Sequence, residues 1–199
     1  PASVPQFPLP HVDDFDSYAV SQEAKWWADQ IGAWEVHVDD KNASNKVMKQ
    51  MVPQLPIGWS DHGSNGPMTL IGMREWQDIK VSAKFRLPSG ESAGCVGSRV
   101  EQMWKDGIVL CVGGDGGWNL TIGGPPQNGV YTNAPIARGQ LAAKPAVGVW
   151  HTISLATLGA AADGSFDGAS LFSQQAIRTL DTGFAAMGTN LWESIEFDD

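Results

Sequence analysis

The stretch Ile79-Lys-Val-Ser-Ala-Lys-Phe-Arg-Leu87 alternates apolar and polar side chains without interruption. Because successive side chains of a β-strand point to opposite faces, this period of two places every apolar residue on one face. A strand of this kind has one face on a hydrophobic core and the other in water, as in an antiparallel sheet. The stretch therefore predicts a half-buried strand of an antiparallel β-sheet.

Other short apolar runs flank this stretch and are separated by turn-forming residues. We predict further strands at Trp34–Val38, Val47–Val52, Met68–Gly72, Ile108–Val112, Trp118–Ile122, Val149–Thr157, Ala169–Ser173, Phe184–Gly188 and Leu191–Phe197. Turns are expected at Asp163-Gly164 and Asp167-Gly168, and one short helical stretch at Ser21–Trp27 with Ser21 as its N-cap. Many short strands at this spacing predict an all-β sandwich of two antiparallel sheets, most simply a jelly roll.

The composition indicates a single domain with a substantial core. The chain has 199 residues, of which 42% are hydrophobic and nine are Trp, a size that suits one all-β unit. Its net charge of -9 disfavours nucleic acid and anionic membrane surfaces as partners, because both are polyanions. No apolar run reaches the roughly 18 residues of a membrane-spanning helix. Residues 1–10 are rich in proline and predict an extended linker, which leaves 11–199 as the domain.

The two cysteines lie on neighbouring apolar runs that predict a β-hairpin. These runs are Gly94–Val100 and Gly107–Val112, and in such a hairpin Cys95 and Cys111 would be roughly opposite each other. A cross-strand disulfide would stabilise the fold by about 3 kcal/mol in the chain-entropy model. Two buried free thiols are the alternative. Glycosylation sequons begin at Asn42 and Asn119 and weakly favour a secretory route.

Acidic clusters stand at both ends of the domain. Asp13, Asp14 and Asp16 lie near its beginning, and Glu193–Asp199 closes it. In a sandwich whose first and last strands lie side by side, these carboxylates would share one site. Carboxylates that close repel each other unless a cation lies between them, and a set of hard oxygen ligands suits Ca²⁺. The alternative is two solvated, acidic strand ends.

A complete jelly-roll glycosidase would carry two catalytic carboxylates on one face of a strand. Glu193 and Glu196 are three residues apart, which places them on opposite faces. His151 alternates with apolar residues, as expected of a hydrogen-bonded core histidine rather than a base. We therefore expect no catalytic residue in this chain, and the other histidines show no zinc-ligand spacing.

Several motifs occur in the order and spacing of one known family. They are Asp13-Asp14-Phe15, Ala28-Asp29-Gln30-x-Gly32-x-x-Glu35, Pro56-Ile57-x-Trp59, Gly97-x-Arg99-Val100, Trp150-x-Thr152-Ile153, Gly183–Thr189 and Phe197-Asp198. Over residues 11–199 this pattern resembles the C-terminal lectin-like domain of the galactocerebrosidases. The resemblance implies a concanavalin A-like jelly roll, in agreement with the strand pattern.

The resemblance also implies a structural calcium ion near the two ends of the domain. Its ligands would be the carboxylates of Asp14, Asp16 and Asp198 and the backbone carbonyl of Lys46. Asp16 departs from the family, which usually has an amide there, and Lys46 replaces a usual aromatic residue. A carbonyl ligand does not depend on its side chain, and a divalent cation accepts the added charge of Asp16.

By the same resemblance, Trp59 would face the substrate, because the C–H face of a sugar stacks on an indole ring. A core tryptophan is the alternative. The catalytic glutamates of the family lie in a separate barrel domain, to which nothing in this chain corresponds. Trp59 is therefore expected to contribute to binding only.

The function expected from this resemblance is that of a non-catalytic, carbohydrate-recognition-like domain. Its parent glycosidase would remove β-galactose from a glycosphingolipid. The implied partners are a glycan or glycolipid and the catalytic barrel domain, and the implied location is lysosomal or secreted. Two alternatives stay open: a stand-alone lectin or laminin-G-like adhesion module, and a self-sufficient glycosidase.

Overall fold

A computed structural model describes residues 7–57, 66–101, 107–123, 134–177 and 182–199. These residues form fourteen β-strands and no α-helix, so this part of the chain offers no helix able to cross a membrane. The strands are β1 (Trp27–Ile31), β2 (Trp34–Asp39), β3 (Asn42–Gln50), β4 (Met68–Ile71), β5 (Lys80–Arg86), β6 (Ala93–Val100), β7 (Gly107–Gly113), β8 (Gly117–Gly123), β9 (Ala134–Gln140), β10 (Trp150–Leu158), β11 (Ala161–Phe166), β12 (Ala169–Ala176), β13 (Phe184–Thr189) and β14 (Glu196–Asp198).

The strands form two seven-stranded antiparallel sheets that pack face to face. Sheet A has the order β1-β4-β13-β6-β7-β8-β9, and sheet B has the order β12-β11-β10-β5-β14-β3-β2. The main core lies between the sheets and includes Phe85, Leu110, Leu155 and Phe197, all fully buried. The predicted all-β, two-sheet architecture is confirmed.

Strand β5 follows the predicted alternation but differs on its polar face. Val81, Ala83 and Phe85 pack into the core as expected. Arg86, which was expected in water, is buried and bonded to Asp39 and Glu196. The alternation therefore predicted the face of β5 on which Arg86 lies. It did not predict that Asp39 and Glu196 would cover the Arg86 side chain.

The predicted helix at Ser21–Trp27 is wrong. The chain makes turns there, and β1 begins at Trp27. The backbone of Ser21 donates to the Val36 carbonyl, and Val36 donates back to the Gln22 carbonyl. These residues therefore bond to β2 instead of to a helical turn of their own, so tertiary pairing overrides the local signal.

The predicted turn at Asp163-Gly164 is also wrong, because both residues lie inside β11. Asp163 Oδ1 accepts hydrogen bonds from Ser173 Oγ at 2.7 Å and from Gln174 N at 2.8 Å across a β-bulge. A Cβ on Gly164 would lie 2.4 Å from the ring of Phe172. Here glycine permits close packing within a strand rather than a turn, whereas Asp167 and Gly168, both at positive φ, form the expected turn.

The expectation that the first and last strands lie side by side is wrong as stated. The acidic residues near the start lie in loops and turns rather than in a strand. The first strand, β1, is at the edge of sheet A, whereas β14 lies inside sheet B between β5 and β3. The two ends of the domain nevertheless approach each other, because the turn that contains Asp16 packs against β3.

The predicted cysteine hairpin is confirmed. Cys95 on β6 lies directly opposite Cys111 on β7, and the two form a disulfide bond. This resolves the alternative of free thiols. The segment between the two cysteines, with a sequence separation of 16, is of a length for which a disulfide stabilises the fold by about 3 kcal/mol.

Candidate functional site

The two ends of the domain meet at the beginning of β3. Lys46 N donates to Asp16 Oδ1 at 2.8 Å, and Lys46 Nζ donates to the carbonyls of Asp16 and Tyr18, both at 2.6 Å. On the adjacent residue of β3, Asn45 Nδ2 donates to Asp198 Oδ2 at 3.2 Å. Asp16 and Asp198 are therefore hydrogen-bonded to two consecutive residues of β3, Lys46 and Asn45, although their positions in the sequence differ by 182.

The first acidic cluster forms a compact turn. Asp14 Oδ1 accepts a hydrogen bond from Asp16 N at 3.2 Å. Asp13 Oδ2 accepts hydrogen bonds from Tyr18 Oη at 3.0 Å and from Trp27 Nε1 at 3.3 Å. Burial, followed by the hydrogen bond to Asp13 and its charge, raises the pKa of Tyr18. Asp13 therefore holds the turn on the sandwich, and Asp14 lies exposed at its outer side.

Asp198 is the most buried carboxylate of the predicted calcium ligands. Burial raises its pKa, the neighbouring charge of Asp199 raises it further, and the hydrogen bond from Asn45 opposes both effects. The Lys84 ammonium pairs with Asp199. Asp198 is thus a carboxylate that has lost most of its contact with water.

The donor chemistry of the predicted ligands fits calcium, because carboxylate and carbonyl oxygens are its usual ligands. The side chains are not yet assembled around one point. Among the described residues, no group of three or more His, Cys, Asp or Glu side chains is placed to hold a metal ion. Asp16 and Asp198 are brought to the same segment of β3, and Asp14 lies exposed in the adjacent turn.

Trp59 lies outside the described residues. The loop that leads to it is described as far as Ile57, whose side chain is fully exposed with a relative accessibility of 102%. Leu55 in the same loop is also exposed. The Pro56-Ile57-x-Trp59 motif therefore begins at the surface of the domain rather than in its core.

Arg86, Asp39 and Glu196 form a buried charged triad that the sequence did not reveal. Their accessibilities are 6%, 4% and 5%. Arg86 Nε donates to Glu196 Oε2 at 2.6 Å, and an Arg86 Nη donates to Asp39 Oδ1 at 2.8 Å. Lys49 Nζ adds a contact to Glu196 Oε1 at 3.2 Å, and the guanidinium lies 4.7 Å from the centre of the Trp150 ring.

The triad changes the pKa of two of its members. Burial alone would raise the pKa of Asp39, but hydrogen bonds from Lys41 N and Arg86, together with the charge of Arg86, lower it overall. Burial would lower the pKa of Arg86, and its bonds to Asp39 and Glu196 outweigh this and raise it. Asp39 and Arg86 are thereby held in their charged forms.

The glutamates considered as catalytic candidates are both occupied by other contacts. Glu196 is bonded to Arg86 and Lys49 inside the triad. Glu193 lies outside the strands, where its carboxylate accepts hydrogen bonds from the hydroxyls of Ser89 and Ser92. The predicted strand at Leu191–Phe197 is shorter than expected, since β14 begins at Glu196.

His151 has partners at both ring nitrogens. Nδ1 lies 2.8 Å from Asp167 Oδ2, Nε2 accepts a hydrogen bond from Ala146 N at 3.1 Å, and the ring stacks on Phe166. The expected hydrogen bonds are confirmed, but the side chain is half-buried at the margin of the core rather than inside it. Its role is to join the segment before β10 to the turn after β11.

Solved structures similar to this one are jelly rolls. A carbohydrate-binding module, CBM66 from Bacillus subtilis, aligns with a TM-score of 0.61 and 12% identity over 87% of this chain and 92% of its own. A family 16 endo-glucanase from Bacteroides ovatus aligns with a TM-score of 0.58 and 12% identity over 94% of this chain and 97% of its own. At 12% sequence identity these similarities show a shared fold and no more. The fold thus defines a two-sheet jelly-roll domain.

The family described as "Galactocerebrosidase, C-terminal lectin domain" matches residues 29–199, and the chain belongs to this family. Galactocerebrosidase of Danio rerio is 28% identical over 100% of this chain and 30% of its own length. That of Homo sapiens is 27% identical over 100% of this chain and 29% of its own length. The chain therefore spans about three tenths of the curated relatives that it matches.

Proposed function

We propose that this chain is the non-catalytic, carbohydrate-recognition-like domain of a glycosidase that removes β-galactose from a glycosphingolipid. The observation that carries this proposal is the family match across residues 29–199. The occupied carboxylates of Glu193 and Glu196 support a role in binding rather than in chemistry. The partners would be a glycolipid and the catalytic barrel domain of the same enzyme.

The loop that contains Trp59 is the proposed wall of the substrate cleft. Full exposure of Ile57 supports a surface location for this loop. An indole ring at the surface offers an apolar face to the C–H groups of a sugar and an N–H donor to a hydroxyl. Trp59 would therefore bind and orient the galactose while the glutamates of the barrel carry out hydrolysis.

In the full-length enzyme, Trp59→Ala is expected to lower kcat/KM for a galactosyl lipid about tenfold. This corresponds to loss of ~1.4 kcal/mol of stacking. The melting temperature should stay unchanged, because in this proposal Trp59 contacts the sugar rather than the core of the domain. Val149→Ala, which shortens an exposed side chain just before β10, is the control. Unaltered kcat/KM in Trp59→Ala would remove this residue from the substrate wall.

We also propose that calcium joins the two ends of the domain. The ion would be held by the carboxylates of Asp14, Asp16 and Asp198 and by the Lys46 carbonyl. The contacts of Asp16 and Asp198 with the Asn45-Lys46 segment support this placement. Calcium would supply the positive charge that these carboxylates share, and its role would be structural.

Chelation of calcium is expected to lower the melting temperature. A ligand at 100 times its Kd stabilises the fold by ~2.7 kcal/mol, which is roughly 5–10 °C for a domain of this size. Asp198→Asn should melt at this lower temperature with or without chelator. Asp40→Asn, at an exposed position in the β2–β3 turn, should retain the calcium response. Identical melting of the wild type with calcium and with chelator would exclude the site.

A lysosomal or secreted location is the environment that we propose for this domain. The Cys95–Cys111 disulfide supports it, because such bonds persist in oxidising compartments. Asn42 and Asn119 are both exposed, so both sequons are accessible for glycosylation. Glycosylation at these two positions stays a prediction.

A further inference from the structure

A cavity of about 550 Å³ lies between the two sheets; we call it the interlayer cavity. Its lining comes from residues of both sheets. Sheet A contributes Trp27, Ile71, Ala185 and Met187, and sheet B contributes Val81, Ala83, Phe197 and Asp198. The segment Phe7–Asp13 closes the cavity from the side.

Small side chains leave this space open. Ala83 on β5 and Ala185 on β13 are inward-facing positions of the two opposed sheets. Protein interiors contain few voids larger than a water molecule, and an empty apolar cavity costs stability in proportion to its volume. The volume falls within the roughly 300–1,000 Å³ of small-molecule sites, so an occupant would recover contacts that the protein alone does not make.

Apolar residues form most of the lining. The polar residues in it are His11, Asp13, Asp78, Lys80, Ser82, Asp198 and Asp199. Water is a poor occupant, because a buried water needs two to four polar partners. Leu9 and Val12, which also line the cavity, are 61% and 76% exposed. An apolar path therefore leads from the surface into the space between the sheets.

We propose that the interlayer cavity binds the aliphatic chain of an amphiphile, with its polar head at the mouth. Four carboxylates (Asp13, Asp78, Asp198 and Asp199) line this site together with one ammonium group, that of Lys80, so a neutral head is favoured over an anionic one. A detergent, a free long-chain alcohol and the tail of a glycolipid share this chemistry. The inference does not depend on the proposed function, since it concerns binding by this chain alone.

The test is quenching of tryptophan fluorescence by dodecyl glucoside brominated on its alkyl chain, used below its micelle concentration with calcium present. Trp27 and Trp76 both line the cavity. We expect saturable quenching at one molecule per chain, reduced at least twofold when both residues are changed to Phe. Glucose without the chain should not compete, decanol should compete, and decanoate should compete at least tenfold more weakly than decanol.

Ala185→Leu fills the cavity from β13 and is expected to weaken binding at least tenfold while the melting temperature holds or rises. Ala83→Leu fills it from β5 and gives the same test should the first variant not fold. Val149→Ala, next to Trp150 at the Arg86 end of the β5–β10 pairing, should bind as the wild type does. Three results would each overturn the proposal: no saturable quenching in the wild type, undiminished quenching without Trp27 and Trp76, or unaltered affinity in a folded filled variant.

Discussion

Arg86→Ala is expected to lower the free energy of unfolding by about 3–5 kcal/mol. Removing one partner of a buried ion pair leaves an uncompensated buried charge, which accounts for a loss of this size. Here two carboxylates, Asp39 and Glu196, would remain nearly inaccessible to water without the guanidinium that they share. Chemical denaturation at neutral pH measures the loss.

Lys84→Ala is the matched control on the same strand. Lys84 lies two residues before Arg86 on β5 and pairs with Asp199, and both members of this pair are exposed. Exposed pairs contribute ~1 kcal/mol or less, so this variant should lose little stability. Equal losses in Arg86→Ala and Lys84→Ala would show that the triad does not stabilise the sandwich.

The pH dependence of this loss follows from the lowered pKa of Asp39. A carboxyl whose pKa is lower in the folded state contributes stability that is fully present above its unfolded pKa, about 3.9. The contribution disappears as the pH falls through the folded pKa. The contribution of Asp39 in the wild type should therefore persist at mildly acidic pH and be lost only below about pH 4. In Arg86→Ala, burial without the guanidinium raises the pKa of Asp39, so the difference between the two proteins should begin to shrink at a higher pH.

Phe197→Ala is expected to cost about 3–5 kcal/mol, the range for truncation of a buried phenylalanine. Phe197 is fully buried and lies 5.9 Å from Trp34 and 6.3 Å from Phe85 between ring centres. It is the middle residue of the three-residue strand β14, which joins β3 to β5. The variant therefore also weakens the link between the two halves of sheet B.

Urea unfolding of Phe197→Ala and Phe172→Ala provides the comparison. Phe172 is half-buried on β12, at the edge of the same sheet, so its truncation should cost clearly less. A loss in Phe197→Ala no greater than in Phe172→Ala would contradict the central position of β14.

Local patterns predicted the parts of the fold that depend on neighbouring residues. The alternation of residues in β5 predicted which face of the strand is buried. The spacing of Cys95 and Cys111 predicted that they lie opposite each other in a hairpin, and the disulfide confirms this register. Both follow from the period of a strand and the length of a turn, which a short window of sequence contains.

Features that depend on distant residues were missed. Ser21 bonds to β2 rather than to a helical turn, and Arg86 is buried because Asp39 and Glu196 reach it from two other strands. The meeting of Asp16 with Lys46 also depends on tertiary packing. A repeat in a short window of sequence does not determine which strands become neighbours. The candidate site could therefore be predicted only from the resemblance to a known family.

The most direct test of the account is the release of galactose from galactosylceramide in detergent micelles, with this 199-residue chain as the only protein. The account predicts no hydrolysis above the rate without protein, because in the proposed function this domain would only bind the substrate, and the glutamates that hydrolyse it would lie elsewhere in the enzyme. Turnover that persists in repurified protein and disappears in Glu193→Gln or Glu196→Gln would show that the domain is itself a glycosidase.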